Sequence, residues 1–328
     1  MLNPPFGKRR VLLWAAAGLS ATLIVVSTAY LRDMSRAYER VRGMSTVIPS
    51  PYGDIEFTEG GSGLPVLVVH GSGGGYDQGE LLVESLLGDG FYWIAPSRFG
   101  YLRSTFHDGA TFDDQAHAYA HLLDALGIEK VAVVTMSHGG PSALLFAALH
   151  PERASSLTLI SAGVAASVAE DQAQANRKGD MLVKIYNHDA LYWGATTLFK
   201  KQFMRIMGAD GTVIADLTPG QREVADHIIE YMNPASLRAA GAAFDNKAAM
   251  PNERIAAIQA PTLVVHARDD ALQLFHNAEF AAATIPGAQL IGYEKGGHLL
   301  MVIEQSAIRR AVQKHILEHS SVRVESSP

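Results

Sequence analysis

The chain has 328 residues, of which 48% are hydrophobic, no cysteine, and a formal net charge of −6. That is ample apolar material for a core, in one large domain or two small ones. The lack of cysteine excludes disulfides, thiolate catalysis and Cys-ligated metal centres, and a scattered acidic excess gives nucleic acid no basic footprint, so no nucleic-acid partner is expected.

Residues 1–10 form a short tail ending in Lys8, Arg9 and Arg10, and Val11 to Leu31 follows with 21 residues free of charge. At about 1.5 Å per residue this run spans roughly 31 Å, against a hydrocarbon core of about 30 Å, so a transmembrane signal-anchor helix is expected over 11–31. The competing reading is a cleaved secretory signal, for which Ser27 and Ala29 supply small residues at the −3 and −1 places. The run exceeds the usual signal core of about 7–15 residues, which favours the anchor. Cations flank both ends: Lys8, Arg9 and Arg10 before it, and Arg32, Arg36, Arg40 and Arg42 after it. Since long domains translocate largely regardless of charge, a single-pass protein with its large domain outside the cytoplasm is expected. Residues 32–45 read as a linker.

From residue 46 to 319 short runs rich in Val and Ile alternate with segments of helical period, which predicts an α/β fold: a mostly parallel central sheet with helices on both faces. The expected strands are Val66–Val69, Tyr92–Ile94, Val131–Val134, Leu157–Ile160, Leu263–Val265 and Gln289–Tyr293, with Asp54–Phe57 antiparallel near the edge. Thr111 and Asp114 open a helix as a capping box, Tyr119, Leu122, Leu123 and Leu126 share its apolar face, and Gly127 closes it. His117 and His121 lie four apart on the other face without an HExxH context, so a polar face is preferred to a metal site, and nothing calls for a metal or organic cofactor. The alternation fails over about 164–252, which reads as an inserted helical cap above the strand ends, where open α/β sheets place ligands. Residues 320–328 are too polar to order themselves.

Three stretches carry chemistry. The strand ending at Val134 runs into Thr135-Met136-Ser137-His138-Gly139-Gly140, a G-x-S-x-G-like turn with threonine in the first glycine place. A nucleophilic serine needs such a turn with small flanking residues, although a serine there also N-caps helices well. His70-Gly71-Ser72-Gly73 follows an early strand, and its glycines let backbone N–H groups turn toward a developing oxyanion; the lysine of a P-loop is missing. Asp269, Asp270 and His298 follow the last two strands.

The order serine, acid, histidine, with HG-x-G after an early strand, resembles the α/β hydrolase fold family over residues 46–319. The resemblance implies Ser137 as nucleophile, His298 as general base, and Asp270 as the acid, with Asp269 as fallback. It also implies an oxyanion hole from the backbone N–H groups of Ser72 and His138, supported by Gly71, Gly73, Gly139 and Gly140. The implied activity is a serine hydrolase that cleaves a carboxylic ester, with amide and carbon–carbon bonds as alternatives, through an acyl-enzyme. The expected partner is a small-molecule substrate with an apolar acyl part. Tyr192, Trp193, Leu198, Phe199 and Phe203 of the cap are candidates to line its pocket, although such aromatics are more often core than ligand contacts. Two departures stand out: Thr135 adds a branched side chain to the turn, and Pro96–Ser104 resembles D-x-x-G-x-G-x-S with Ser97 for the acid and Leu102 for the second glycine. Thr135 motivates the other reading, a non-catalytic binding protein that keeps the fold.

Overall fold

The computed structural model describes residues 6–167, 170–208 and 210–320. Residues 321–328 of the expected polar tail lie outside the described residues, as do 1–5 of the N-terminal one. Eight strands form one sheet: β1 (Thr46–Ile48), β2 (Ile55–Gly61), β3 (Leu64–Val69), β4 (Phe91–Pro96), β5 (Val131–Met136), β6 (Ala154–Ile160), β7 (Thr262–Ala267) and β8 (Gln289–Tyr293), in the order β1-β2-β4-β3-β5-β6-β7-β8. β1 and β2 are antiparallel to their neighbours, and every other pairing is parallel. The antiparallel strand expected near the edge is β2, and the edge itself is β1, whose three residues are too few to show a pattern.

The continuous apolar runs follow from burial on both faces. Along β3, Leu67 and Val69 join a cluster with Tyr119, Leu122 and Phe146, while Val66 and Val68 join another with Leu82, Ile308 and Ile316. Helix Phe112–Ala125 opens with the expected Thr111–Asp114 capping box, and Gly127 takes φ 68° beyond its end. His117 and His121 stay apart: the first pairs with His150 at 2.9 Å and the second faces the Pro49 carbonyl at 3.2 Å.

Between β6 and β7 the chain makes helices Glu170–Tyr186, Asp189–Leu198, Lys200–Ile206, Gly211–Asp216, Pro219–Tyr231 and Ala239–Lys247. They share a core of their own, with Leu182, Tyr192, Phe203, Ile214 and Ile229, which reaches Val302 of the sheet domain.

The N-terminal helix is longer than expected. It runs unbroken from Phe6 to Val41, so residues expected as tail (6–10) and as linker (32–41) are helical. Its apolar window has mean hydropathy 2.0 and no buried residue, which makes it long and apolar enough to cross a membrane. Past Leu31 the same helix docks on the domain, burying Met34, Ala37 and Val41 at i, i+3 and i+7. Arg40 pairs with Asp77 and donates to the Asn233 carbonyl at 2.5 Å, and its guanidinium lies 4.1 Å over the Tyr231 ring. Residues 32–41 of the expected linker therefore continue the helix, held to the domain by the pairing of Arg40 with a buried carboxylate.

Candidate active site

Ser137 sits where β5 turns through Ser137–Gly139 into helix Gly140–Leu149, with φ 54° in the left-handed region. That conformation costs a non-glycine residue about 1–2 kcal/mol, so its surroundings must impose it. The close approach that does so needs the glycines: a Cβ on Gly139 would lie 2.5 Å from Thr135 Oγ1 and 2.6 Å from the His70 carbonyl oxygen, one on Gly140 would collide with the Gly163 carbonyl, and one on Gly71 would lie 2.9 Å from Ser137 Cβ. Thr135 does not loosen the turn, because its hydroxyl donates to the Val69 carbonyl across the sheet at 3.2 Å. Nor does Ser137 cap the helix: no side-chain cap bond forms there, and its hydroxyl faces His298 Nε2 at 3.0 Å.

His298 comes from the turn after β8, and its Nδ1 meets Asp270 Oδ2 at 2.8 Å. The other oxygen of Asp270 accepts from the Leu272 and Gln273 N–H groups, both at 2.9 Å. Burial opposes charge on Asp270, but the facing His298 and His266 and these N–H donors outweigh it, holding its carboxyl below the usual carboxylate range. Asp269 turns the other way and accepts from Gly296 and Gly297 N–H at 3.3 and 2.8 Å, so it pins the loop that carries His298.

Ser72 and His138 line the same cavity as Ser137 and His298. The Ser72 hydroxyl donates to Asp245 at 2.5 Å and meets Tyr101 OH at 3.2 Å. Asp245, on cap helix Ala239–Lys247, also takes Arg98 Nη1 and Nη2 at 2.5 and 2.7 Å, and both side chains of that pair are fully buried. Arg98 in turn donates from Nε to the His70 carbonyl at 3.0 Å, so one buried cation holds His70 directly and Ser72 through Asp245, while Arg238 Nη1 donates to the Gly74 carbonyl at 2.6 Å. Gly73 in that loop has φ 75°, and a Cβ there would strike the Tyr186 hydroxyl. Sequence reasoning missed Arg98 and Asp245, because each partner lies in a different segment and neither segment has charge periodicity. The substituted loop keeps its shape: Leu102 takes φ 53° in the glycine place, and Ser97 bonds Glu56 at 2.9 Å and the Tyr76 N–H at 3.0 Å.

Above Ser137 lies an apolar cavity of about 110 Å³, walled by Leu182, Tyr186, Met204, Ile229, Met232 and Met301 among others. None of the five candidate cap residues lines it, and for Tyr192 and Phe203 the preferred alternative, core packing, is what the structure has. Tyr192 and Phe203 pack in the cap core with ring centroids 5.4 Å apart, Trp193 meets Tyr30 at 5.5 Å, and Leu198 and Phe199 are each 59% exposed. Helical period marks an apolar face without saying which cavity that face meets. A second, polar hollow of about 410 Å³ adjoins the first at His138, Gly179, Asn246 and Leu272, and Asn176, Asp180 and Gln273 line it.

Three histidines around the site are held below the usual imidazole value: burial does this for His70, with Arg98 adding to it, and burial dominates for His138 and His266 as well. Each stays neutral when folded, while the unfolded chain takes up protons below about pH 6.5, so stability rises with pH through that window and is lost as pH falls below it. Each histidine contributes a slope of at most about 1.4 kcal/mol per pH unit. The melting temperature is therefore expected to fall on acidification from about pH 7 to about pH 5, and His70→Gln should flatten the fall. A wild-type melting temperature constant across that range would contradict the assignment.

Comparison with known proteins agrees with this architecture. The α/β hydrolase fold family matches residues 65–305. An uncharacterised hydrolase of Bacillus subtilis is 29% identical over 274 residues, covering 81% of this chain and 95% of its own. A 2-hydroxy-6-oxo-6-phenylhexa-2,4-dienoate hydrolase of Burkholderia cepacia is 29% identical over 254 residues, covering 74% and 84%. Among solved structures, an α/β hydrolase fold protein of Nakamurella multipartita superposes with TM-score 0.60 at 26% identity, covering 83% of this chain and 98% of its own. With the sheet order, the strained turn after β5 and a match over most of its length, the chain belongs to the α/β hydrolase fold family.

Proposed function

We propose that the chain is a serine hydrolase that cleaves a carboxylic ester with an apolar acyl group. The observation that carries this reading is the hydrogen-bonded line Ser137–His298–Asp270 at the floor of an apolar cavity. With Nδ1–H directed at Asp270, the Nε2 lone pair of His298 faces the serine hydroxyl. Ser137 Oγ attacks the acyl carbon and its proton passes to Nε2, while the backbone N–H groups of Ser72 and His138 hold the oxyanion. The imidazolium, balanced by Asp270, gives that proton to the departing alcohol. Water then loses a proton to His298, attacks the acyl-enzyme and releases the acid.

An ester is favoured over a dienoate, the substrate in the Burkholderia relative's name, by the charge of the site. A dienoate carries a carboxylate, which a binding site meets with a cation. Among the described residues lining the two hollows there is no lysine or arginine, and Asp180 lines the polar one. The non-catalytic reading leaves the strain at Ser137 without a purpose. We further propose that Val11–Leu31 anchors the chain as a single pass with the folded domain outside the cytoplasm. The test is labelling of the full chain with a fluorophosphonate, followed by peptide mapping and a series of aryl esters. An adduct on Ser137 with turnover is expected; a folded protein that takes up no label would overturn the proposal.

A further inference from the structure

Helix Asp189–Leu198 of the cap lies against the N-terminal helix just past the stretch proposed to span the membrane. Trp193 packs edge-on against Tyr30 at 5.5 Å and donates to Asp33 at 3.1 Å, and Tyr38 donates to Asp189 at 2.8 Å. The anchor run ends at Leu31, so Trp193 stands at the depth where tryptophan and tyrosine gather, the boundary of hydrocarbon and headgroups.

The opposite face of this cap helix has no cover. Tyr192, Trp193 and Thr196 point into the protein, while Leu191 and Leu198, seven residues apart on the outer face, are 57% and 59% exposed, and Phe199 follows at 59%. Single exposed apolar side chains are ordinary. Outside the N-terminal helix, however, five of the described large apolar side chains are more than half exposed, and three of these five fall within the nine residues 191–199. Lys200 and Lys201 follow Phe199 in the chain, and Lys200 pairs with Asp226 at 3.0 Å. An apolar tip fixed beside a spanning helix, with tryptophan and tyrosine at its root, has the composition of a surface that sits in a lipid interface.

We propose that Leu191, Leu198 and Phe199 seat the cap in the headgroup region of the bilayer that holds the anchor. The proposal rests on the membrane-spanning reading of Val11–Leu31. It gives the site a supply route, because the segments flanking the seated helix, with Leu182 and Tyr186 on one side and Met204 and Met207 on the other, line the apolar cavity. The substrate it implies is an ester whose acyl chain is dissolved in the membrane.

The chain contains no cysteine, so single cysteines can be introduced without background. Full-length Phe199→Cys, Leu317→Cys and Leu19→Cys, each checked for folding by its melting temperature, carry an environment-sensitive fluorophore in proteoliposomes. Leu317 is 58% exposed on helix Gln305–His319, and Leu19 is 64% exposed within the anchor. Nitroxide lipids that quench at the depth of an interfacial apolar face, about 5–10 Å, should quench the Phe199 probe severalfold more than the Leu317 probe, with Leu19 quenched by deeper nitroxides. Lipid quenching at Leu19 but only aqueous quenching at Phe199 would overturn the seating and leave the anchor standing. Protection of Phe199 from both quenchers would assign the face to protein, such as a second copy of the chain, and overturn it as well. No lipid quenching at Leu19 would remove the anchor and the seating together.

Discussion

Ser137→Ala is expected to lower ester hydrolysis by at least about 10⁴-fold in kcat, since on the proposed mechanism loss of the nucleophile disables the acid–base pair with it and leaves only binding and oxyanion stabilisation. The fold should survive, because alanine keeps the Cβ, and the partner its hydroxyl has is His298. Ser137→Gly offers an internal check. At φ 54° glycine escapes the left-handed penalty, so it should melt higher than alanine by an amount equivalent to about 1 kcal/mol while being equally inactive. Steady-state kinetics and thermal melts of the two variants decide both points. Undiminished turnover by the alanine variant would remove Ser137 from the chemistry.

Asp245→Ala should damage stability severely. The carboxylate balances a fully buried Arg98 and accepts from Ser72 and Tyr101, so its loss strands a charge and two hydroxyl groups. Breaking a buried pair in this way costs about 3–5 kcal/mol, a large share of the roughly 5–15 kcal/mol that holds a domain together. Replacing both partners with apolar residues, Arg98→Met with Asp245→Leu, should recover part of that loss, because no charge is then left unpaired. Denaturant titration of the single and double variants measures it. If Asp245→Ala alone costs under about 1 kcal/mol, the pair is hydrated and the link from cap to glycine loop is weak.

The part of the site that could be read from sequence is the part governed by local geometry. A strand must end in small residues for the serine turn to pass close to its neighbour, and Gly139, Gly140 and Gly71 meet that demand at fixed offsets. His298 and Asp270 stand where parallel strands end, so the sheet itself brings them to Ser137. What escaped was settled by tertiary pairing. Asp245 sits in an alanine-rich helix with nothing nearby to mark it as the partner of Arg98, 147 residues away. Which cap residues meet the cavity was hidden for the same reason: Tyr192 and Phe203 pack on one another in the cap core, whereas Met204, the next residue, lines the cavity with Ser137. The N-terminal helix was underread because charge ended the anchor pattern at Arg32, although helical backbone bonding continues past it.

Met136, Met204, Met207, Met232 and Met301 all line the apolar cavity, half of the ten methionines in the chain. Thioether side chains are unbranched and polarizable, so such a wall adapts to the shape of a guest, and with the ester substrate proposed above it would sort acyl groups by bulk more than by outline. In a chain without cysteine they are also the only oxidisable sulfur in the cavity wall. Peroxide would turn apolar wall into sulfoxide, and the cavity would lose its preference for hydrocarbon while the sheet beneath it stayed intact.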